Sequence, residues 1–317
     1  MFKTPILLIT FNRPDHVRRV LTEILNAEPQ SLYVCQDGAR EGNENDRIKC
    51  QEVRDVINEL TSAYKSIHPD FTIHTFFQKN NLGCGPGPAA GITWFFENVE
   101  QGIVMEDDCF PHPDFFGYCE ELLERYKDNS RVQFINSTLY HDRWKCEASY
   151  GFSHYMVTGA WAGWRRTWQG FDLDLLSLNT WKFRNHVLRL TKNRAEANWW
   201  YFKVKEIQQD RSKKSYWDYQ MQIHLFRNSA LTIHPKVNLV SNIGFDAEGT
   251  HTRWNDGRGD KMVYAILPLQ HPNNMDVNAD MDALCFAKRQ ARGWIKDTLS
   301  FLKHLYKNRS LPNSLTL

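Results

Sequence analysis

The chain has no Cys-x-x-Cys pair, and its seven cysteines are scattered at positions 35, 50, 84, 109, 119, 146 and 285. An odd, unpaired set of this kind excludes a zinc knuckle and a disulfide framework, and fits a reducing compartment. No window approaches eighteen apolar residues, which excludes a spanning helix on length alone. Charge of one sign is also missing. The formal net charge is +2, so a dedicated nucleic-acid binder is disfavoured, although a local basic patch is not. There is no internal repeat, no low-complexity segment, and no apolar leader with a cleavage site after Met1. The corresponding expectation is a cytoplasmic protein. Asn136-Ser137-Thr138 fits a glycosylation sequon, but in that compartment it carries no meaning.

At 317 residues the chain can bury a sizeable core as one large domain or two. Its first 140 residues alternate short apolar runs with amphipathic stretches. Residues 5–10, 31–35, 71–76, 103–105 and 132–135 read as strands. Between the first two runs, Val17, Val20, Leu21, Ile24 and Leu25 recur at helical spacing, with Pro14 suited to the first turn. Val53, Val56, Ile57, Leu60 and Tyr64 predict a second helix, residues 89–98 a third, and Phe115, Phe116, Cys119, Leu122, Leu123 and Tyr126 a fourth. Residues 40–47 read as a polar loop. The alternation predicts an α/β fold with a mainly parallel sheet and helices on both faces. The second half is less regular. It holds a glycine- and indole-rich segment at 155–164, basic aromatic helices over 181–207, a helix opening at Trp217-Asp218, and short strands near 231–233 and 237–240. Residues 242–260 read as a polar loop, and 286–306 as an amphipathic basic helix.

The chemistry concentrates at Glu106-Asp107-Asp108, which ends the apolar run of residues 103–105. Three adjacent carboxylates repel one another, and a hard divalent ion with phosphate oxygens in its remaining positions would relieve them. In open α/β sheets ligands bind beyond the carboxyl ends of the strands. The loops there also supply Arg13, Asp37 and the turn-rich segment 80–88. Arg13 is suited to clamp a diphosphate and Asp37 to accept from a base N–H. Each residue has a plainer reading as well. Arg13 pairs a surface acid, Asp37-Gly38 forms a turn, and Asp218 caps a helix.

The motifs Phe11-Asn12-Arg13-Pro14, Cys35-Gln36-Asp37-Gly38, Asn81-Leu82-Gly83, Met105-Glu106-Asp107-Asp108 followed by Pro113-Asp114-Phe115-Phe116, and Trp217-Asp218 stand in a telling order. In that order they resemble nucleotide-sugar glycosyltransferases of the GT-A (Rossmann-like) fold, in the manner of N-acetylglucosaminyltransferase I and its bacterial relatives. The resemblance spans residues 4–255. It implies a transferase domain over 1–255, with a nucleotide-binding half (1–140) and an acceptor and catalytic half (141–255). Residues 256–317 would form a loop and helical C-terminal extension.

By that resemblance Asp108 is the metal ligand, with Mn²⁺ or Mg²⁺ as the ion, and His251 is a second contact. Thr10, Asn12, Arg13, Asp37, Asn81, Gly83, Glu106, Asp107 and Thr250 face a donor, with UDP favoured. Asp218 is the catalytic base of an inverting transfer. Trp161, Trp164 and Trp217 line the acceptor side. The implied acceptor is a saccharide or lipid-linked glycan in bacterial surface polysaccharide synthesis. The basic tail either lies on the inner face of an anionic membrane or packs on the domain with its charges in water. Two rivals remain open. A sugar-nucleotide nucleotidyltransferase would want a Gly-rich basic loop after strand one. A non-catalytic glycan-binding module would have no use for three acids.

Overall fold

The computed structural model describes residues 2–139, 146–209, 216–244 and 264–290, with backbone only for 288–290. An eight-stranded sheet organises the chain, in the order β3-β2-β1-β4-β8-β6-β9-β7. The strands are β1 Ile6–Thr10, β2 Ser31–Gln36, β3 Thr72–Phe77, β4 Gln101–Glu106, β6 Val132–Asn136, β7 Tyr150–Ser153, β8 Ala160–Trp164 and β9 Leu231–Pro235. A two-stranded ribbon pairs β5, Cys109–Pro111, with β10, Val240–Asn242. Helices are α1 Pro14–Asn26, α2 Glu44–Ile67, α3 Pro86–Asn98, α4 Asp114–Arg125, the short α5 Arg165–Trp168, α6 Thr180–Thr191, α7 Arg194–Gln209, α8 Asp218–Arg227 and α9 Ala279–Gln290.

The apolar runs are continuous because helices cover both sheet faces. In β1, Ile6 and Leu8 join a core under α1, α2 and α4, while Leu7 and Ile9 join a second core under α3 and α8. A third core, with Trp200, Ile223, Phe226 and Met281, packs α6 and α7 against α8 and α9. Asn43 sets the start of α2 by accepting from the Asp46 N–H, so the helix begins inside the segment expected to be loop.

Four of the seven pairings in the large sheet are parallel. The parallel expectation holds from β3 to β4, but β8 enters antiparallel between β4 and β6. Its sequence, Ala-Trp-Ala-Gly-Trp, gives no alternation because both faces are buried, so the strand is hidden from periodicity. Strands from both halves of the chain therefore share one sheet.

After β1 the chain adds β2 and β3 outward on one side, then returns to place β4 on the other side of β1. The order reverses between β1 and β4, with Ile9 beside Glu106 in register. A crevice opens beyond the carboxyl ends of strands at such a reversal.

Candidate active site

The loops that leave β1, β2 and β4 meet at this reversal and wall a cavity of about 650 Å³. The far wall comes from α7 and from the start of α8. Arg13 is the residue before Pro14, so the helix α1 starts as its side chain swings back over the sheet edge. One Arg13 Nη1 lies 3.3 Å from Asp107 Oδ1 and 3.1 Å from Asp108 Oδ2. The Phe11 N–H donates to Asp107 Oδ2 at 3.4 Å.

A single guanidinium does not balance three carboxylates. Burial pushes the Glu106 carboxyl well above its usual range, and Asp108 and Asp107 push it further, with Arg13 opposing and Asp218 adding. The Asp107 carboxyl rises to about 6, chiefly through burial, against the lowering effect of Arg13. The field of Asp218 therefore reaches Glu106 from the opposite wall. Asp218 occupies the first turn of α8, where a carboxylate is favoured by the helix dipole, and it lines the same cavity.

Asp108 is covered by main chain. Its carbonyl accepts from the Ile243 N–H at 2.8 Å, and His16 Nε2 donates to the Ile243 carbonyl at 3.1 Å. The β5–β10 ribbon thus delivers Gly244 onto the acid. A Cβ on Gly244 would stand 2.5 Å from Asp108 Oδ2, so only glycine fits.

Asp37 proves to be a loop organiser rather than a base acceptor. Its Oδ1 accepts from the Gly38 and Leu82 N–H groups at 2.9 and 2.8 Å. Its Oδ2 accepts from Asn81 Nδ2 and the Gly83 N–H at 3.0 and 2.9 Å. Four donors fill the sites a carboxylate offers, which leaves none for a nucleobase N–H. Gly83 takes φ +84°, and that conformation turns its N–H onto Asp37.

Other expected residues also need correcting. Asn12 Nδ2 donates to Asp46 Oδ1 at 2.8 Å, away from the cavity. The Thr10 hydroxyl lines the cavity edge but donates to the Cys35 carbonyl at 3.0 Å, tying β1 to β2. Trp161 and Trp164 are fully buried. Trp161 stacks on Phe134 with centroids 4.5 Å apart, and Trp164 packs in the core on the other sheet face, so neither forms an acceptor wall. The resemblance implied an acceptor wall; the antiparallel β8 makes both positions core. Trp217 does line the cavity, held between Trp161 and Trp168. Thr250 and His251 lie outside the described residues.

Several lining residues were not expected. Arg40 reaches the cavity edge, with its Nη2 donating to Asp46 Oδ1 at 2.8 Å and its guanidinium over the Phe11 ring. Being in the loop after a second strand was the signal available. Lys203 and Glu206 of α7, paired at 2.6 Å, form the far wall with Tyr219. No local pattern marks them, because a helix face declares only that it is polar.

Among the described residues no group of three or more His, Cys, Asp or Glu forms a metal cage. The donor set nonetheless fits Mg²⁺ or Mn²⁺. Such ions are commonly held by one or two carboxylates, with substrate phosphates and water completing the shell. Asp108 would hold the ion, and Glu106 and Asp107 would add negative field behind it.

No protein-family model matches the chain, and no curated protein matches it. Partial overlaps occur among solved structures. A mannosyltransferase from Pyrobaculum calidifontis, in complex with GDP-Man and Mn²⁺, shares 12% identity over 71% of this chain and 72% of its own, with a TM-score of 0.39. A UDP-glucose pyrophosphorylase complexed with UDP-glucose shares 9% over 72% and 89%, with a TM-score of 0.38. TarS residues 1–349 from S. aureus shares 8% over 53% and 48%, with a TM-score of 0.35. Overlaps this slight leave the function to the chemistry of the site itself.

Proposed function

We infer that the protein is a metal-dependent glycosyltransferase that moves a sugar from a nucleoside diphosphate sugar to a saccharide acceptor, with inversion. The observation that carries this reading is the placement of Glu106, Asp107 and Asp108 at the sheet reversal, facing Asp218 across one cavity. Its volume of about 650 Å³ lies in the range of small-molecule and cofactor sites.

Arg13 binds the diphosphate end, beside the acids at the carboxyl end of β4. Arg13 is the cation nearest the acids and is suited to bidentate phosphate contact. A divalent ion on Asp108, when bound, would neutralise charge on the departing diphosphate. Asp37 shapes the 80–83 loop beside the donor. Asp218 takes the proton of the acceptor hydroxyl as that oxygen bonds to the anomeric carbon. The bond from that carbon to the diphosphate breaks, and its electron pair leaves with the nucleotide. Asp218 alone suffices for a single displacement, and Glu206 on the same wall is paired with Lys203, which favours inversion.

The test is hydrolysis and transfer with a panel of nucleotide sugars, UDP-sugars first, with Mn²⁺, Mg²⁺ or chelator. Release of nucleoside diphosphate that needs the metal and is abolished by Asp108→Ala is the expected result. Release of pyrophosphate from a nucleoside triphosphate and sugar phosphate would point instead to a nucleotidyltransferase. Metal-independent turnover would overturn the site assignment.

A further inference from the structure

The helical hairpin α6–α7 has a second face, turned away from the cavity. On α7, Lys203, Glu206 and Ile207 line the cavity, while Arg194, Asn198, Tyr201 and Lys205 recur at i, i+4, i+7 and i+11 along the opposite side. That side joins α6. Arg184 Nε donates to Asn198 Oδ1 at 2.7 Å, Trp181 meets Tyr201 with centroids 5.0 Å apart, and the Arg184 guanidinium lies over the Trp181 ring.

Two features make this face unusual. First, large apolar groups are held out in water. Leu176 is 67% exposed and Trp181 60%, two of the three most exposed large hydrophobics among the described residues. Their exposure is built in. Leu175 adopts φ +54°, a conformation uncommon for a branched side chain. It thereby turns inward to 4% exposure while Leu176 turns out. Gln208 Nε2 fixes the turn by donating to the carbonyls of Leu175 and Leu178 at 2.6 and 3.0 Å.

Second, cations outnumber acids on the hairpin, where Glu206 faces the cavity side and pairs with Lys203. Lys182, Arg184, Arg189, Lys192, Arg194 and Lys205 lie on the hairpin, and the one acid within residues 180–205, Glu196, is buried. Asp172, ahead of the turn, is drawn into its own loop, accepting from the Asp174 N–H at 2.9 Å.

We propose that this face docks on an anionic lipid bilayer, with Leu176 and Trp181 entering the headgroup boundary and the six cations contacting acidic headgroups. An apolar tip ringed by cations matches a surface that is apolar below and negative above. An exposed indole with an adjacent tyrosine suits the same depth. The docking does not depend on what the cavity transfers, and it leaves the cavity side of α7 facing away from the membrane.

Flotation of the full chain tests this, using phosphatidylcholine vesicles with or without phosphatidylglycerol and no substrate. The wild-type chain is expected on the anionic vesicles only. Leu176→Ser with Trp181→Ser is expected to weaken binding about tenfold or more. Each cation lost is worth roughly fivefold, so Lys182→Glu with Arg189→Glu should abolish flotation. The charge-reversed pair carries the test if the serine pair folds poorly. Binding of both variants at the wild-type level would overturn the proposal and leave the C-terminal basic residues as the contact. Equal binding to neutral vesicles, or none to either, would overturn it too.

Discussion

Glu196 on α7 is a carboxyl only 3% exposed, with the Tyr155 hydroxyl donating to its Oε1 at 2.6 Å. Burial pushes its pKa from 4.5 up to about 7, although the Tyr155 hydrogen bond opposes the rise. Because the folded value exceeds the unfolded one, Glu196 favours folding while both states are protonated, below the unfolded value. That contribution is lost as pH rises through about 7. Linkage over this interval gives a loss of about 2.5 kcal/mol between about pH 5 and pH 8. Gln in place of Glu keeps an acceptor for Tyr155 but cannot ionise. Glu196→Gln should therefore gain about 2.5 kcal/mol relative to wild type as pH goes from about 5 to about 8. Urea unfolding of both proteins at the two pH values measures this. Buried His224 and His234, each held near pKa 4 by burial, titrate alike in both proteins and cancel in the double difference. A difference that stays flat within about 0.5 kcal/mol would refute the reasoning, as would one that falls with pH.

Asp218→Asn should retain nucleotide-sugar binding by calorimetry yet lose transfer by about 10²-fold or more, because the proton acceptor is gone while the shape remains. Unchanged transfer would remove Asp218 from its role. Gly244→Ala should displace Asp108, since the added Cβ would stand 2.5 Å from its Oδ2. Metal-dependent donor binding should then weaken far more than thermal stability; equal losses in both would sink the claim. Trp161→Ala should cost about 3–5 kcal/mol in chemical denaturation as a buried aromatic, with donor affinity retained in the protein that folds. A selective loss of acceptor affinity there would restore Trp161 to the acceptor wall.

The local elements of the first 140 residues were legible because each is announced by its own chemistry. Val17 to Leu25 recur at helical spacing, Pro14 starts α1, and the β1 run is apolar up to Thr10. The acids at 106–108 were legible too, because a triple carboxylate after a buried strand is an anomaly wherever it falls. Their facing of Asp218 could not be read, since it depends on how α8 packs over the second core. Only long-range pairing decided the rest. The side chains of Trp161 and Trp164 are core because β8 inserts between β4 and β6, and nothing within five residues encodes that neighbour. Asp37 is saturated because the 80–83 loop folds back onto it across more than forty residues. Lys203 and Glu206 wall the cavity because α7 crosses its mouth. Sequence alone thus determined most strands and helices of the first 140 residues and the run of carboxylates that closes β4, since spacing and burial preference are local. Tertiary structure decided which polar groups face open space and which are already satisfied, because that depends on contacts between residues far apart in the chain.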